Sequence, residues 1–381
     1  MSTYLPWLDL LRFVACVLVI LSHLNPFPEN NHFGHNGVGL FFSISGYLIG
    51  SVLMAGRAKP DWMSRFYAHR LLRIYPALLV ALAIVGAILF VLAGRPGTIW
   101  GMWPEFAANI PYYLTFTAHL SPNMGTPYGI VWTLAVEEYF YLFLPLAFWL
   151  LGPRGTAVLL IAVIIATLEP RLRLVPGTEH GTWFLIPVNL LCGAVLATFQ
   201  PRPRDGRPWV GFVGLAAVLV NSVGGWFHPF GPVMGVLTTV TVWSFAVTKM
   251  PVPRPWDLLV TCGKWSYEIY LLHLPFVSGA LLVTRELERL AHELGLEAVP
   301  RGVYVTVAAV LATAGSTAMA ALVFRLVERP IRARRRWVTD HPWARRLTAG
   351  VQVSLIPAGI AYWLAAGGWT LTKVWWQSLV S

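Results

Sequence analysis

Apolar residues recur along this chain in runs long enough to cross a lipid bilayer. A membrane-spanning helix needs about 20 predominantly apolar residues, and stretches near that length follow one another from end to end. The pattern predicts spans at residues 8–24, 38–55, 74–93, 130–151, 156–168, 184–199, 209–223, 232–247, 265–283, 303–327 and 352–369. The first ten form the predicted core of a helical bundle, and the last is an additional, eleventh helix.

The composition agrees with this pattern. Of 381 residues, 56% are hydrophobic and only 12% are charged, and the mean hydropathy is +0.62, which lies outside the usual range of soluble proteins. We therefore predict an all-α, polytopic integral membrane protein of the cell (inner or plasma) membrane. Residues 1–335 are expected to form one transmembrane domain, and 336–381 a basic cytoplasmic segment with the additional helix.

The positive charge of the chain follows its predicted topology. A net charge of +11 and a pI near 9.9 are compatible with nucleic-acid binding. However, 20 of the 28 Lys and Arg residues fall in connections on one side of the predicted membrane and seven on the other. This bias matches the positive-inside rule, so we predict a cytoplasmic amino terminus and no nucleic-acid partner.

Arg12 and His23 are ionisable residues inside the first apolar segment. They are eleven positions apart, which places them on one helix face, about 16 Å apart along the axis. Ionisable groups within a membrane span are costly and by default mark a functional site. We therefore predict a functional axis along this helix, from Arg12 near the cytosolic end to His23 near the outer end.

The second span contains a polar notch in the sequence GLFFSISGYLI at 39–49. Ser43, Ser45 and Gly46 are small, and small residues let membrane helices approach closely. Close packing and a direct role of the serines are both compatible with this pattern.

Basic residues precede the third span in the sequence HRLLRIYP at 69–76. Arg70 and Arg73 share one helix face, and Arg65 lies about one turn earlier. The cluster is typical of a positive-inside anchor. It could equally bind the phosphates of a cytosolic donor, because guanidinium groups form bidentate pairs with phosphate.

Further ionisable residues lie within other spans. Glu137 and Glu138, in VWTLAVEEYFY at 131–141, point about 100° apart on a helix, so only one is expected to face a given cavity. His273, in SYEIYLLHLP at 266–275, fits either a packing residue or a chemical role, and Glu328 of the ERP sequence fits a salt bridge. No Cys/His spacing typical of a metal site occurs, so no metal is expected.

Taken together, these segments resemble the membrane acyltransferase-3 family, whose members O-acylate carbohydrates and some secondary metabolites. The likeness covers most of the chain and keeps the family's order. It rests on the Arg-x10-His spacing of Arg12 and His23 and on the sequences at 41–49, 70–76, 132–141, 266–275 and 328–330. The chain departs from the pattern at His69, where the family frequently has Arg.

The resemblance implies O-acyl transfer, of an acetyl group first of all, from an acyl-CoA donor to a hydroxyl group. His23 is the expected general base, and Glu137 or Glu138 would orient it and stabilise its charged form. Arg12 would guide or clamp the pantetheine arm. A covalent acyl-histidine, or an acyl-serine at Ser45, is an alternative.

The expected donor site lies at the cytoplasmic face. The phosphates of acetyl-CoA would meet basic side chains, and its arm would extend toward the first helix. The residues assigned to donor binding are Arg12, Arg65, Arg70, Arg73, Ser45 and Tyr47. No permanently bound cofactor is expected.

Two other classes of protein fit the intramembrane charges. A secondary transporter or flippase of a glycan or a small anionic substrate would also place Arg, His and Glu within the membrane. The second class is a catalytically silent partner of a polysaccharide-export assembly. The acceptor stays open between a cell-surface carbohydrate, a lipid-linked glycan and a glycosylated or macrolide-like metabolite. The sequence makes no prediction about oligomers.

Overall fold

The protein is a bundle of α-helices. The computed structural model describes residues 5–24, 32–92, 102–121, 126–166, 187–199, 208–294 and 299–366. The helices, in chain order, are α1 (Pro6–Leu24), α2 (Phe33–Gly56), α3 (Trp62–Val91), α4 (Trp103–Leu114), α5 (Trp132–Ala166), α6 (Val188–Thr198), α7 (Pro208–Gly224), α8 (Pro232–Val247), α9 (Asp257–Lys264), α10 (Ser266–Glu293), α11 (Arg301–Val323), α12 (Arg329–Asp340) and α13 (Pro342–Ala365). The predicted all-α class is confirmed.

Many of these helices are long and apolar enough to cross a bilayer. In the part of the chain that the structure describes, seven helical stretches meet that description: Pro6–Leu24, Phe33–Gly56, Trp62–Val91, Gly129–Ala166, Ser266–Glu293, Arg301–Asp340 and Pro342–Ala365. The shorter apolar helices α6, α7 and α8 coincide with three more predicted spans. The protein is thus a multi-pass membrane protein, and the count of ten or eleven spans stays a prediction.

Large apolar side chains on the outer surfaces of the helices agree with a lipid environment. Phe90, Trp149, Phe199 and Trp209 are each more than half exposed, together with many Leu and Val residues. Water-soluble monomers rarely expose apolar surface on this scale, whereas lipid chains cover it without cost.

Some boundaries differ from those that the hydropathy predicts. The third span was expected from residue 74, but α3 begins at Trp62, because its amphipathic first turns bury Phe66, Tyr67 and Ala68 while presenting basic residues elsewhere. The predicted connection between the spans 74–93 and 130–151 contains the helix α4. Residues 93, 167–168, 184–186 and 367–369 of the predicted spans lie outside the described residues.

The predicted spans 130–151 and 156–168 correspond to the two helical segments of α5, which a break at Gly152 separates. Within α5, Gly152 has φ of 67° and ψ of 178°, a left-handed φ that glycine adopts without steric cost. The kink falls in the short connection predicted at 152–155.

The chain divides into two compact units. The first contains Met1–Ala58 and Leu146–Phe324, and the second contains Lys59–Pro145 and Arg325–Ser381. Helix α5 therefore belongs to the second unit up to Pro145 and to the first unit from Leu146 onward.

Helix α1 is central to the first unit. It packs against α2, α9 and α10, and Trp7 near its start stacks on Phe245 of α8 with ring centroids 5.4 Å apart. One buried cluster includes Leu11, Leu40 and Met234. This packing surrounds α1 with other helices of the first unit.

Helices α2 and α6 approach each other closely through glycines. A Cβ added to Gly46 would collide with the carbonyl oxygen of Leu190, and one added to Gly193 would collide with the carbonyl oxygen of Ser43. The close packing that the small residues of 39–49 allow is therefore present.

In the second unit, α3 packs against α13, α12 and α4. The Tyr67 hydroxyl donates a hydrogen bond to the Leu142 carbonyl at 2.8 Å. At the other end of the unit, the rings of Tyr112 and Tyr362 lie 5.3 Å apart. The helix α13, which follows the ten predicted core spans, is thus an integral part of this unit.

Candidate active site

In the first unit, the His23 ring of α1 faces the His273 ring of α10. Their centroids are 5.1 Å apart with an interplanar angle of 42°. His23 is exposed, whereas His273 is completely buried. The His273 Nδ1 lies 2.6 Å from the carbonyl oxygen of Tyr270.

The register of α1 and α10 sets this histidine pair. The Cys16 thiol donates to the carbonyl oxygen of Ser266 at 3.4 Å, and seven residues later on both helices His23 meets His273. Two turns on each helix separate the two contacts, so the helices run parallel with a constant offset. The sequence singles out His273 but contains no signal that pairs it with His23.

Arg12, at the other end of the axis on α1, forms an ion pair with Asp9. The Nη1 of Arg12 lies 2.7 Å from Oδ1 of Asp9, and Asp9 is 7% exposed. A buried carboxylate one turn away neutralises the guanidinium within the apolar helix. The sequence prediction missed Asp9, although its i, i+3 spacing from Arg12 is the expected signal.

The polar notch of α2 separates into buried and accessible positions. Ser43 is buried, its hydroxyl lies 2.7 Å from that of Thr238, and it donates to the Asn189 carbonyl at 3.3 Å. Tyr47 is buried, and Ser45 is half-buried. Ser43 therefore has a structural role between α2, α6 and α8, whereas donor contacts by Ser45 and Tyr47 stay predictions.

Polar side chains also gather at the start of α2. Asn36 donates to the hydroxyl of Ser222 at 3.0 Å, and Asn221 makes two hydrogen bonds with the backbone of Phe227. Burial holds the pKa of His32 below its ordinary value, although a hydrogen bond with the backbone of Phe227 acts in the opposite direction.

In the second unit, Arg70 of α3 lies between two carboxylates of α5. Its Nη2 is 3.9 Å from Oε2 of Glu137, its Nε is 3.9 Å from Oε1 of Glu138, and its guanidinium carbon lies 3.5 Å from the centroid of the Tyr141 ring. The Tyr141 hydroxyl donates to Oε2 of Glu137 at 2.9 Å. Arg70 therefore joins both predicted glutamates.

Glu138 has a second partner, Gln352 of α13. The Nε2 amide of Gln352 donates to Oε2 of Glu138, and both side chains are buried. Glu137 is half-buried by comparison. The two adjacent glutamates thus face different surroundings, as their angular separation on a helix predicts.

An ion-pair network surrounds the start of α3. Asp61 binds Arg65 at 2.8 Å and Arg345 at 2.9 Å, and Arg65 also reaches Asp340 at 3.3 Å. Desolvation raises the pKa of Asp61, but the Arg65 hydrogen bond and the charges of Arg65 and Arg345 outweigh it and hold that pKa below its ordinary value. Arg73, about two turns after Arg65 on α3, is half-buried.

The predicted site residues thus form two groups. Arg12 and His23 belong to the first unit, and Arg65, Arg70, Arg73, Glu137 and Glu138 belong to the second. The pairing of His23 with Glu137 or Glu138 therefore stays a prediction. Among the described residues, no cluster of three or more His, Cys, Asp or Glu side chains could hold a metal ion.

The fold and these groups define a multi-pass membrane protein with ionisable residues paired inside apolar helices. The chain belongs to the acyltransferase-3 family, since the family model, described as an acyltransferase domain, matches residues 5–321. The family resemblance of the sequence motifs is thereby confirmed. No solved structure shows significant similarity to the chain.

Several relatives are O-acetyltransferases by name. The chain is similar to the O-acetyltransferase OatA of Staphylococcus aureus (strain NCTC 8325 / PS 47), with 28% identity over 370 residues that cover 86% of this chain and 57% of that protein. The peptidoglycan O-acetyltransferase OatA of Listeria monocytogenes is 26% identical over 373 residues, covering 86% and 56%. The chain therefore spans little more than half the length of these curated relatives.

Proposed function

We propose that this protein is a membrane O-acetyltransferase that transfers an acetyl group from acetyl-CoA to a hydroxyl of a cell-surface glycan. The observation that carries the proposal is the family match over residues 5–321 together with His23, an exposed imidazole at the end of an apolar helix. The relatives named as O-acetyltransferases support the acetyl group, and the Listeria protein, named for peptidoglycan, supports a glycan acceptor.

His23 is the proposed general base. Its neutral ring would take the proton of the acceptor hydroxyl as the oxygen attacks the thioester carbonyl carbon. The tetrahedral intermediate would then expel the coenzyme A sulfur, and the proton held on His23 would pass to that leaving thiolate. The carbon–oxygen bond of the ester forms as the carbon–sulfur bond breaks, and His23 returns to its neutral form.

The donor is proposed to be held by arginines. Phosphate oxygens would bind the basic side chains of α3, which are Arg65, Arg70 and Arg73 in its first half. Arg12, which Asp9 holds in place, is proposed to bind the pantetheine arm. A guanidinium is suited to both tasks because it keeps its charge and offers several donors.

The proposed orientation places the amino terminus in the cytoplasm. It rests on the distribution of Lys and Arg between the connections, and the parallel course of α1 and α10 is compatible with it. Reporter fusions after residue 58 and after residue 294 test it, since the first should report a cytoplasmic position and the second an external one.

The acetyl transfer is tested with the purified full chain in detergent, with radiolabelled acetyl-CoA and soluble peptidoglycan fragments. We expect labelled ester on the glycan, released by mild base. His23→Ala should lower turnover by roughly 10²- to 10⁴-fold, the usual contribution of a general base. His292→Ala, at the exposed end of α10, is the matched control and should keep wild-type activity.

Two results would contradict the proposal at different points. Uptake of glycan that requires sealed vesicles, with no ester formed in detergent, would show a transporter. Near-normal turnover of folded His23→Ala would leave the acetyl transfer standing and remove His23 as the base.

A further inference from the structure

We propose that His273 is a positioning residue that fixes the tautomer and orientation of His23. The inference rests on the proposed acetyl transfer and deepens it, because it assigns a partner to the proposed base. The observation behind it is the contact between the two rings, 5.1 Å apart between centroids, on two parallel helices.

The hydrogen bond of His273 sets its tautomer. Its Nδ1 lies 2.6 Å from the carbonyl oxygen of Tyr270, and a carbonyl oxygen can only accept a hydrogen bond. The Nδ1 therefore carries the proton. In the neutral ring the Nε2 then presents a lone pair.

The lone pair on the Nε2 of His273 lies in buried surroundings. The His273 side chain is completely buried, and its Nε2 has no hydrogen-bond partner. A buried polar atom that makes no hydrogen bond costs about 1–3 kcal/mol, so an acceptor in this position calls for a donor. The ring of His23 lies next to that of His273, with centroids 5.1 Å apart, and we propose that it supplies the donor.

An acceptor at the Nε2 of His273 would select the tautomer of His23. A ring N–H of His23 directed at the Nε2 of His273 leaves the other nitrogen of His23 with a free lone pair. That nitrogen would be the one that accepts the proton of the acceptor hydroxyl. When His23 becomes an imidazolium, its N–H toward His273 becomes a stronger, charge-assisted donor, so the pair stabilises the charged form of the base.

The register of α1 and α10 supports the pairing of His23 with His273. The contact between Cys16 and Ser266, two turns earlier, fixes the relative height of α1 and α10, and Ile20 and Ile269 pack in the same buried cluster. The histidines therefore meet because of the backbone register of the two helices.

A purely structural histidine would satisfy the Tyr270 carbonyl and nothing else. Two neutral variants separate this role from the proposed one. The amide of Asn reaches the position of the imidazole Nδ1, and the amide of Gln reaches that of Nε2. His273→Asn thus keeps the donor to Tyr270, and His273→Gln keeps the acceptor toward His23.

The experiment compares acetyl transfer by the two variants in the purified full chain. We expect His273→Gln to stay within about tenfold of wild type and His273→Asn to lose kcat on the order of 10²-fold, with little change in KM for acetyl-CoA. In the His23→Ala background, His273→Asn should cause no further loss, because a residue that acts through His23 has nothing left to position.

The reverse order, Asn active and Gln inactive, would overturn the inference while the acetyl transfer itself stood. Absence of ester formation by the wild type would instead contradict the proposed function. If either variant does not fold, ¹⁵N NMR of histidine-labelled wild type decides the matter. A proton on Nδ1 of His273 and a hydrogen-bonded nitrogen on His23 support the pair, and a proton on Nε2 of His273 refutes it.

Discussion

Gln352 of α13 donates a hydrogen bond to Glu138 of α5, which lies 214 positions earlier in the chain. Glu138 belongs to the motif at 132–141, whereas Gln352 lies beyond residue 321, where the family match ends. A helix outside the matched region therefore completes the surroundings of a glutamate inside it. The additional segment is part of the second unit's core and not an appendage.

Replacing Gln352 by Leu should destabilise the protein. The substitution removes the amide donor and leaves a buried carboxylate oxygen of Glu138 without its partner, which costs about 1–3 kcal/mol. Chemical unfolding in detergent measures the free-energy difference. Ser354→Ala, an exposed change on the same helix, is the control. Equal stability of Gln352→Leu and wild type would show that the hydrogen bond is dispensable.

Arg70→Gln should be far more damaging than the same change at Arg289. Arg70 is 15% exposed in its side chain and compensates Glu138, which is 2% exposed. Removing one member of a buried pair typically costs about 3–5 kcal/mol. Arg289 pairs with Glu286 on the surface of α10, where such pairs contribute about 0–1 kcal/mol. Similar unfolding curves for both variants would contradict the buried network.

Gly193→Ala should disturb the packing of α6 on α2. The added Cβ would meet the carbonyl oxygen of Ser43, and backbone that must shift costs typically 1–3 kcal/mol, as overpacking does. Gly279→Ala in α10 meets no atom within 4 Å and should be neutral or stabilising by about 0.5–1 kcal/mol. Melting temperatures of the two variants, measured side by side, check the difference. Tolerance of Gly193→Ala would refute the close approach.

The burial of His119 leads us to expect that the protein loses stability in mild acid. Burial lowers its pKa from 6.5 to about 4, so the folded state keeps His119 neutral while the unfolded state takes up a proton below about pH 6.5. The contribution of neutral His119 to the free energy of unfolding is therefore fully present above about pH 6.5, and it is lost as the pH falls toward 4. His119→Phe keeps a ring near Tyr139, which lies 5.3 Å away, and does not titrate.

The measurement is the melting temperature of both proteins between pH 7.5 and 4. The wild type should lose more than His119→Phe over this range. Parallel curves would show that His119 takes no part in the acid sensitivity, because all other titrating groups are common to the two proteins.

Hydropathy alone located the helices well where a span is apolar throughout. The predicted span 232–247 coincides with α8, and the bounds of α1 and α7 differ from the prediction by only a few residues. It failed at the start of α3, because basic residues on one face lower the average hydropathy of a helix whose other face is buried. A window that averages over the whole turn cannot separate the two faces.

Partners distant in the chain were not predictable. The sequence indicates that Glu138 and His273 are unusual at membrane depth, since each places an ionisable group in an apolar run. It does not indicate Gln352 or His23 as their neighbours, because those contacts depend on which helices are adjacent. Asp9 differs, since its spacing from Arg12 on one helix is visible in the sequence alone.

The sequence by itself determined the membrane class, the family, and the positions at which polar groups enter apolar helices, because these properties depend on residue type and local periodicity. Only the tertiary structure decided that Arg70 lies between two glutamates, that Ser43 supports packing, and that His23 faces His273. The reason is physical: helix register and the choice of neighbours arise from side-chain packing between segments 250 or more residues apart, and no local pattern encodes that packing.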